Sequence, residues 1–274
     1  MNAGWTTQEA SRHLLPYFVS LGCKCKRPQD DTPNYFNASG FLVEIEGSSF
    51  FVTAGHVLAS IEDAQRKGVA FCEWRLDDTA SDHVRTKCSL PFDFSQAPKK
   101  YVEHSSGADY GIIALRPYYV DALRKHGALF CSHELLDDTP FRESLEDPVQ
   151  FFLVGVTAES LALIGGPMDN ICKTAWTVQL IPEPSPPPNV SKYVCWRRVP
   201  DQPDAERMED MAGLSGGPIF AVKFDGDRTP LIALVAIQRG WIRPDLVTSV
   251  LAVVLAATLQ SAIREARTEV TEHS

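Results

Sequence analysis

Ala212-Gly213-Leu214-Ser215-Gly216-Gly217-Pro218-Ile219-Phe220 is the stretch on which the reading of this chain turns. A serine sits among glycines, a proline closes the run, and an apolar strand pattern follows. That order describes a hydroxyl held on a tight turn. Gly213 has no Cβ to restrict its φ and ψ, so its backbone N–H can point inward. Together with the N–H of Ser215 it can face a common point, the geometry an oxyanion hole requires. Gly216 and Gly217 leave room for another backbone to approach. On these residues alone, a glycine-rich β-turn with an incidental serine is the competing reading.

Working outward, two further stretches bear on the choice. Ser49-Phe50-Phe51-Val52-Thr53-Ala54-Gly55-His56-Val57-Leu58 is a β-type apolar run ending in a small-residue turn that carries a histidine. Gly107-Ala108-Asp109-Tyr110-Gly111-Ile112-Ile113-Ala114-Leu115 places an aspartate at the head of another apolar strand. Singly, such a histidine is more often structural and such an aspartate is usually a turn residue. In the order His, Asp, Ser, however, Thr53-Ala54-Gly55-His56, Asp109 and Gly213-Leu214-Ser215-Gly216-Gly217-Pro218 resemble the chymotrypsin/trypsin-like serine peptidase family. The motifs run from Gly40 to about Gly240, most of the chain.

The resemblance implies a serine endopeptidase working through an acyl-enzyme, with no cofactor and no metal. Ser215 would be the nucleophile, His56 the base and then the acid, and Asp109 the group fixing the histidine tautomer. The N–H groups of Gly213 and Ser215 would hold the oxyanion. The chain also departs from the family pattern. Where zymogen-activated members carry an aspartate before the nucleophile, this chain has Leu214, so activation by a newly cut N-terminus is not available to it. Where members carry a serine, an aromatic and a glycine on the wall strand, it offers Ala236-Ile237-Gln238. Ala236 would remove a hydrogen bond to Asp109, and Gln238 would narrow the primary pocket. The acid at the base of that pocket in trypsin-like members corresponds here to Glu209. With Glu209 there the pocket takes basic side chains; with Glu209 in a solvated acidic loop it is small and apolar, favouring Ala, Val or Leu. The competing functional class is a peptidase fold with weak or no turnover, kept as a binding or regulatory module.

Composition sets the outer bounds. The chain has 274 residues, 44% of them hydrophobic, enough for one large domain or two packed lobes. Thirty-five acidic against 26 basic residues give a net charge of −9. That balance gives a nucleic-acid or anionic-membrane partner no electrostatic support, and it mildly favours cationic peptides. The expected partner is a protein or peptide substrate, with any regulatory partner left unidentified. Seven cysteines at irregular spacing include no C-x-x-C pair, which argues against metal binding. Met1 to Arg12 lacks the cationic-then-apolar pattern of a secretory signal. The expectation is a cytoplasmic protein with reduced thiols, of an intracellular, bacterial branch of the family, whose standalone members are often parts of regulatory or defence systems. The other histidines lie in polar context and read as surface residues.

In chain order, Thr6 to Leu14 carries a helical pattern, and Tyr17 to Leu21 is the first strand candidate. Gly40 to Val52 reads as a hairpin around Glu46-Gly47-Ser48, with a short helix from Val57 to Gln65. Val69–Trp74, Val84–Leu90, Lys99–Val102 and Ile112–Leu115 are further strand candidates. In the second half, Val149–Gly155, Leu161–Ile164, Ala175–Ile181, Tyr193–Arg198 and Leu231–Ile237 follow, and Val247 to about Thr268 reads as a terminal helix too short in its apolar run to span a bilayer. Many short strands between turn signals predict an all-β architecture. The resemblance makes it two antiparallel six-stranded β-barrels with a C-terminal helix, in one peptidase domain over 1–274. Residues 15–116 would form the first lobe, 117–148 the connection, 149–245 the second lobe and 246–274 the helix and tail.

Overall fold

The structure, a computed structural model, describes residues 4–30, 34–77, 89–102, 108–132, 134–136, 149–157, 162–164, 170–172, 175–185, 187–188, 194–199, 213–224, 229–243, 246–251 and 260–261. It is mostly β, in two antiparallel lobes. The first holds α1 (Thr7–Leu14), β1 (Phe18–Lys26), β2 (Asn34–Ile45), β3 (Ser48–Thr53), α2 (Gly55–Arg66), β4 (Ala70–Asp77), β5 (Ser89–Pro91), β6 (Lys99–Val102) and β7 (Tyr110–Ala114). α3 (Pro117–Lys125) leads out of it. The second holds β8 (Gln150–Val156), β9 (Ala162–Ile164), β10 (Asn170–Cys172), β11 (Ala175–Pro182), β12 (Val194–Arg198), β13 (Pro218–Phe224), β14 (Pro230–Arg243) and β15 (Leu246–Leu251).

Local chemistry accounts for the element ends. Thr6 and Glu9 form a reciprocal capping box that starts α1. Glu46 and Gly47 both have positive φ, 51° and 75°, which is what a two-residue type I′ hairpin turn between β2 and β3 requires. Proline opens α3, where the missing N–H costs nothing.

The sheets are held by side chains of period two. In β2, Phe41, Val43 and Ile45 face one apolar cluster while Ala38 and Leu42 face another. In β8 and β13, Phe152, Val154, Phe220 and Val222 join the first of these clusters, whereas Leu153, Ile219 and Ala221 fill the barrel of the second lobe. The shared cluster is therefore the layer where the lobes meet, and α1 covers it with Ala10 and Leu14. Phe41, Phe51, Phe152 and Phe220 are fully buried, each contributing roughly 1.5–3 kcal/mol of apolar transfer.

The second lobe closes as a six-stranded barrel in the order β11-β12-β15-β14-β13-β8, with β8 pairing back to β11. The first lobe is a seven-stranded sheet, β5-β4-β1-β2-β3-β7-β6, that is not closed among the described residues. So one closed barrel and one open sheet are seen where two closed barrels were expected. The sheet's edges, β5 and β6, are only 3 and 4 residues long, and the neighbouring segments 78–88 and 103–107 lie outside the described residues. The terminal helix expected from Val247 is also corrected at its start. Leu246–Leu251 is β15, pairing with both β12 and β14. Barrel closure demands a strand there, and Leu246–Leu251 supplies three β-branched residues, Val247, Thr248 and Val250. The second lobe thus runs past 245. Of the rest, only Gln260 and Ser261 are described, and they are helical.

Smaller differences share a cause. β1 and β2 extend through Lys26 and from Asn34, beyond the candidates Tyr17–Leu21 and Gly40–Val52, because the two strands pair over that length. β14 likewise continues past Ile237 to Arg243. Ser89–Pro91 is described as a strand, whereas 84–88 lie outside the described residues.

Candidate active site

β3 ends at Thr53, and α2 begins two residues on, so His56 sits in the first turn of that helix. Gly55 makes this approach feasible. A Cβ there would lie 2.1 Å from the Val102 carbonyl oxygen and 3.0 Å from Asp109 Oδ1. Asp109, just before β7, is fully buried. Its Oδ1 accepts from the His56 backbone N–H at 2.8 Å and its Oδ2 from the His56 ring Nδ1 at 2.8 Å. The carboxylate thereby satisfies one of the unpaired N–H groups of the helix start and fixes the imidazole in the same act. Since a carboxylate oxygen accepts, Nδ1 is the donor in this bond. The His56 side chain is 29% exposed, so the ring is within reach of a reactant.

The serine comes from the other lobe. Gly213 and Gly216 both have φ 92°, and Gly217 N–H bonds back to the Leu214 carbonyl at 2.8 Å, closing a tight turn with Ser215 at its tip. At Gly216 a Cβ would lie 2.3 Å from Thr53 Oγ1 and 2.4 Å from the Ser39 carbonyl oxygen. The turn is thus pressed against the first lobe with no room for a side chain. Leu214 is fully buried and packs with Leu153 and Ile219 in the barrel core. An apolar plug therefore anchors the turn where an activating charge pair would need a carboxylate.

Three further residues tie the turn in place. Ser39 Oγ on β2 donates to the Gly213 carbonyl at 2.7 Å and accepts from Val156 N–H at 3.0 Å. Gln238 exchanges two backbone bonds with the turn: Gly216 N–H to its carbonyl at 2.8 Å, and its own N–H to the Gly217 carbonyl at 2.9 Å. The Ser215 hydroxyl donates to the Arg239 carbonyl at 3.3 Å. Among the described residues, neither Gly213 N–H nor Ser215 N–H donates to a backbone carbonyl. His56, Gly213 and Ser215 line one cavity of about 360 Å³ with Tyr35, Asn37 and Thr157.

The three residues singled out for catalysis thus come together where the lobes meet. On the wall strand, Ala236 packs into the barrel core and supplies nothing to Asp109. Arg239 does: its Nε lies 3.5 Å from Asp109 Oδ2, with the arginine side chain 17% exposed. Two register shifts place it there, one opposite Ile219/Phe220 and one between Gln238 and Gly240. Bulges re-aim side chains in this way beside functional sites. Gln238 is fully buried, and among the described residues neither of its amide atoms has a hydrogen-bond partner. Glu209 lies outside the described residues. Ser39 and Arg239 carried no signal in the sequence, because each depends on a contact between lobes.

Neither a scan of protein-family models nor a search of curated proteins returns a match to this chain. Among the described residues, no His/Cys/Asp/Glu group is arranged to hold a metal ion, and no helix is long and apolar enough to cross a membrane. Cys23, Cys25, Cys72, Cys131 and Cys195 carry free thiols; burial raises the pKa of Cys25, Cys131 and Cys195. Those thiols are poor nucleophiles by that shift, and none of them lines the cavity of Ser215.

Proposed function

We propose that this chain is a serine endopeptidase of the trypsin-like type, and that its open seven-stranded sheet is the first barrel of that two-barrel architecture. The observation that carries the reading is the two-point hold of Asp109 on His56, both bonds 2.8 Å, beside a cavity shared with Ser215 and Gly213. A structural histidine needs no buried carboxylate on its Nδ1 while it lines a cavity shared with a serine on a glycine turn.

In this reading Nε2 of His56 takes the proton of Ser215 Oγ as the oxygen attacks a peptide carbonyl carbon. The carbonyl π-bond electrons move onto oxygen, and the N–H groups of Gly213 and Ser215 stabilise that charge, each worth on the order of 3 kcal/mol. Collapse breaks the C–N bond, and His56 returns the proton to the departing amine. Water then repeats the sequence on the ester, freeing Ser215. Asp109 remains a carboxylate that holds the imidazolium, and Leu214 keeps the turn formed without an activating cut.

The second reading is a peptidase-like module without turnover. It is favoured by the Ser215 hydroxyl donating to the Arg239 carbonyl, and by an arginine sharing the carboxylate with His56. Fluorophosphonate labelling of the full chain separates the two, because only an activated serine reacts. The expected result is stoichiometric labelling of the wild-type protein and none of Ser215→Ala. Absence of labelling in both would leave the module reading standing.

A further inference from the structure

A second, larger cavity, about 790 Å³, is lined by His56 but not by Ser215. Its floor is one face of α2 and its C-cap: Ala59, Ser60, Asp63, Ala64 and Lys67 stand three, four, seven, eight and eleven positions after His56. Its far wall is the turn after β1, where Arg27 stands. His56 and Ser60 belong to both cavities, so the two form one groove that starts at the serine and runs along the helix.

The charge in this groove opposes that of the molecule. The chain carries −9 overall, yet among the described residues the groove presents Arg27, Arg66 and Lys67 against a single carboxylate, Asp63. Lys67 spends its charge on Asp63 at 2.5 Å, and Arg66 also acts on that carboxyl, which together with Lys67 holds its pKa below the usual value. Three cations facing one anion leave a net positive wall in an acidic protein. Arg27, Arg66 and Lys67 are all solvent-exposed and so accessible to a ligand.

Direction along the groove follows from the proposed chemistry, on which this inference rests. His56 protonates the departing amine, so the chain beyond the scissile bond must leave across His56 and along α2. From His56 to Lys67 the helix advances on the order of 16 Å. An extended peptide covers that in about five residues. We propose that this groove is a subsite for acidic side chains, Asp or Glu, carried three to five residues beyond the cleaved bond. Arg27 and Arg66 would be the residues that select them. The preference of an acidic protein for cationic peptides, expected from net charge alone, is then reversed on this side of the bond.

Two measurements on the full chain test this together. First, a fluorescein-labelled hexaglutamate peptide is titrated into Ser215→Ala and followed by anisotropy. Binding is expected, with hexalysine failing to compete. Arg27→Glu/Arg66→Glu should weaken it at least tenfold while the melting transition persists, and about 0.5 M salt should weaken it as well. Second, matched substrates carrying Glu, Gln or Lys at those positions should be cut in that order by the wild type, and in the reverse order by the double variant. Equal binding of both homopeptides, binding indifferent to the charge reversal, or capture of a single-stranded oligonucleotide in place of hexaglutamate overturns the proposal. The two readings fail separately. Acid-selective binding without fluorophosphonate labelling keeps the groove and sinks the peptidase; labelling without charge selection does the opposite.

Discussion

The two halves of the site are built by different physics. On the first lobe, His56 and Asp109 are fixed by directed polar contacts: a buried carboxylate, a helix start, and two bonds of 2.8 Å. On the second, Ser215 is fixed by shape. Its turn combines φ 92° at Gly213 and Gly216, a fully buried Leu214, and a fit against Ser39 and Thr53 too tight for a Cβ. The polar half tunes one nitrogen; the steric half places one oxygen. Changes on the polar half should therefore cost rate with the fold intact. On the steric half, any change beyond the hydroxyl itself should cost rate and stability together.

The largest effect tests whether the halves act as one device. Ser215→Ala should lower kcat by on the order of 10⁶, and adding His56→Ala should cost little more, because triad members are not additive. A single mutant retaining a tenth of wild-type hydrolysis would break the comparison at its root. Next comes the polar half alone. Asp109→Asn should leave the melting transition nearly unchanged but lower kcat by about 10⁴, since an amide in that position favours the wrong histidine tautomer. If the variant instead unfolds, Asp109 is first a helix cap and only second a catalytic partner.

The steric half is probed by Gly216→Ala. A methyl group 2.3 Å from Thr53 Oγ1 and 2.4 Å from a backbone oxygen cannot be relieved by a side-chain rotation alone. Overpacking of this kind costs about 1–3 kcal/mol, and the positive φ adds about 1 kcal/mol more. Activity should fall at least a hundredfold together with a lower melting temperature. Lost activity at unchanged stability would show that the turn is not clamped between the lobes.

The halves also differ in how far the sequence exposes them. The glycine turn, the histidine after β3 and the aspartate before β7 are local patterns, legible one at a time and convincing in combination. So are the capping box of α1 and the Glu46-Gly47 hairpin. What escaped is non-local. Residues from Val247 read as helix because the alanine-rich run beyond Leu251 dominates the pattern, whereas β12 and β14 both need Leu246–Leu251 between them. The resemblance marked Ala236 as the loss of a hydrogen bond to Asp109. That Arg239 approaches the carboxylate instead depends on two register shifts, which no spacing rule reveals. The cationic groove was hidden in the same way, since Arg27 and Arg66 lie 39 positions apart and meet only because β1 ends beside α2.

Arg239 is where the two halves touch, and it gives the smallest and most discriminating effect. Its carbonyl holds the Ser215 hydroxyl while its guanidinium lies 3.5 Å from Asp109 Oδ2, the same oxygen that His56 uses. Arg239→Ala keeps the carbonyl and removes the guanidinium. A carboxylate with two other donors in place should hold, so the fold should survive. Without the cation, however, Oδ2 gains freedom, and the imidazole it orients gains it too. The expected loss is about tenfold to a hundredfold in kcat, on the order of 1.4–2.8 kcal/mol, with KM little changed because the side chain faces Asp109 and not the cavity. Lysine at this position should recover only part, since a point charge on a flexible stem does not reproduce a planar donor. The decisive measurement is a double-mutant cycle with Asp109→Asn. If Arg239 works through the carboxylate, Arg239→Ala in the Asp109→Asn background should cost less than threefold, a coupling of neighbours in one network. Full additivity would mean that the arginine acts elsewhere, on the wall strand or on substrate, and that the carboxylate half of the site stands without help from the barrel.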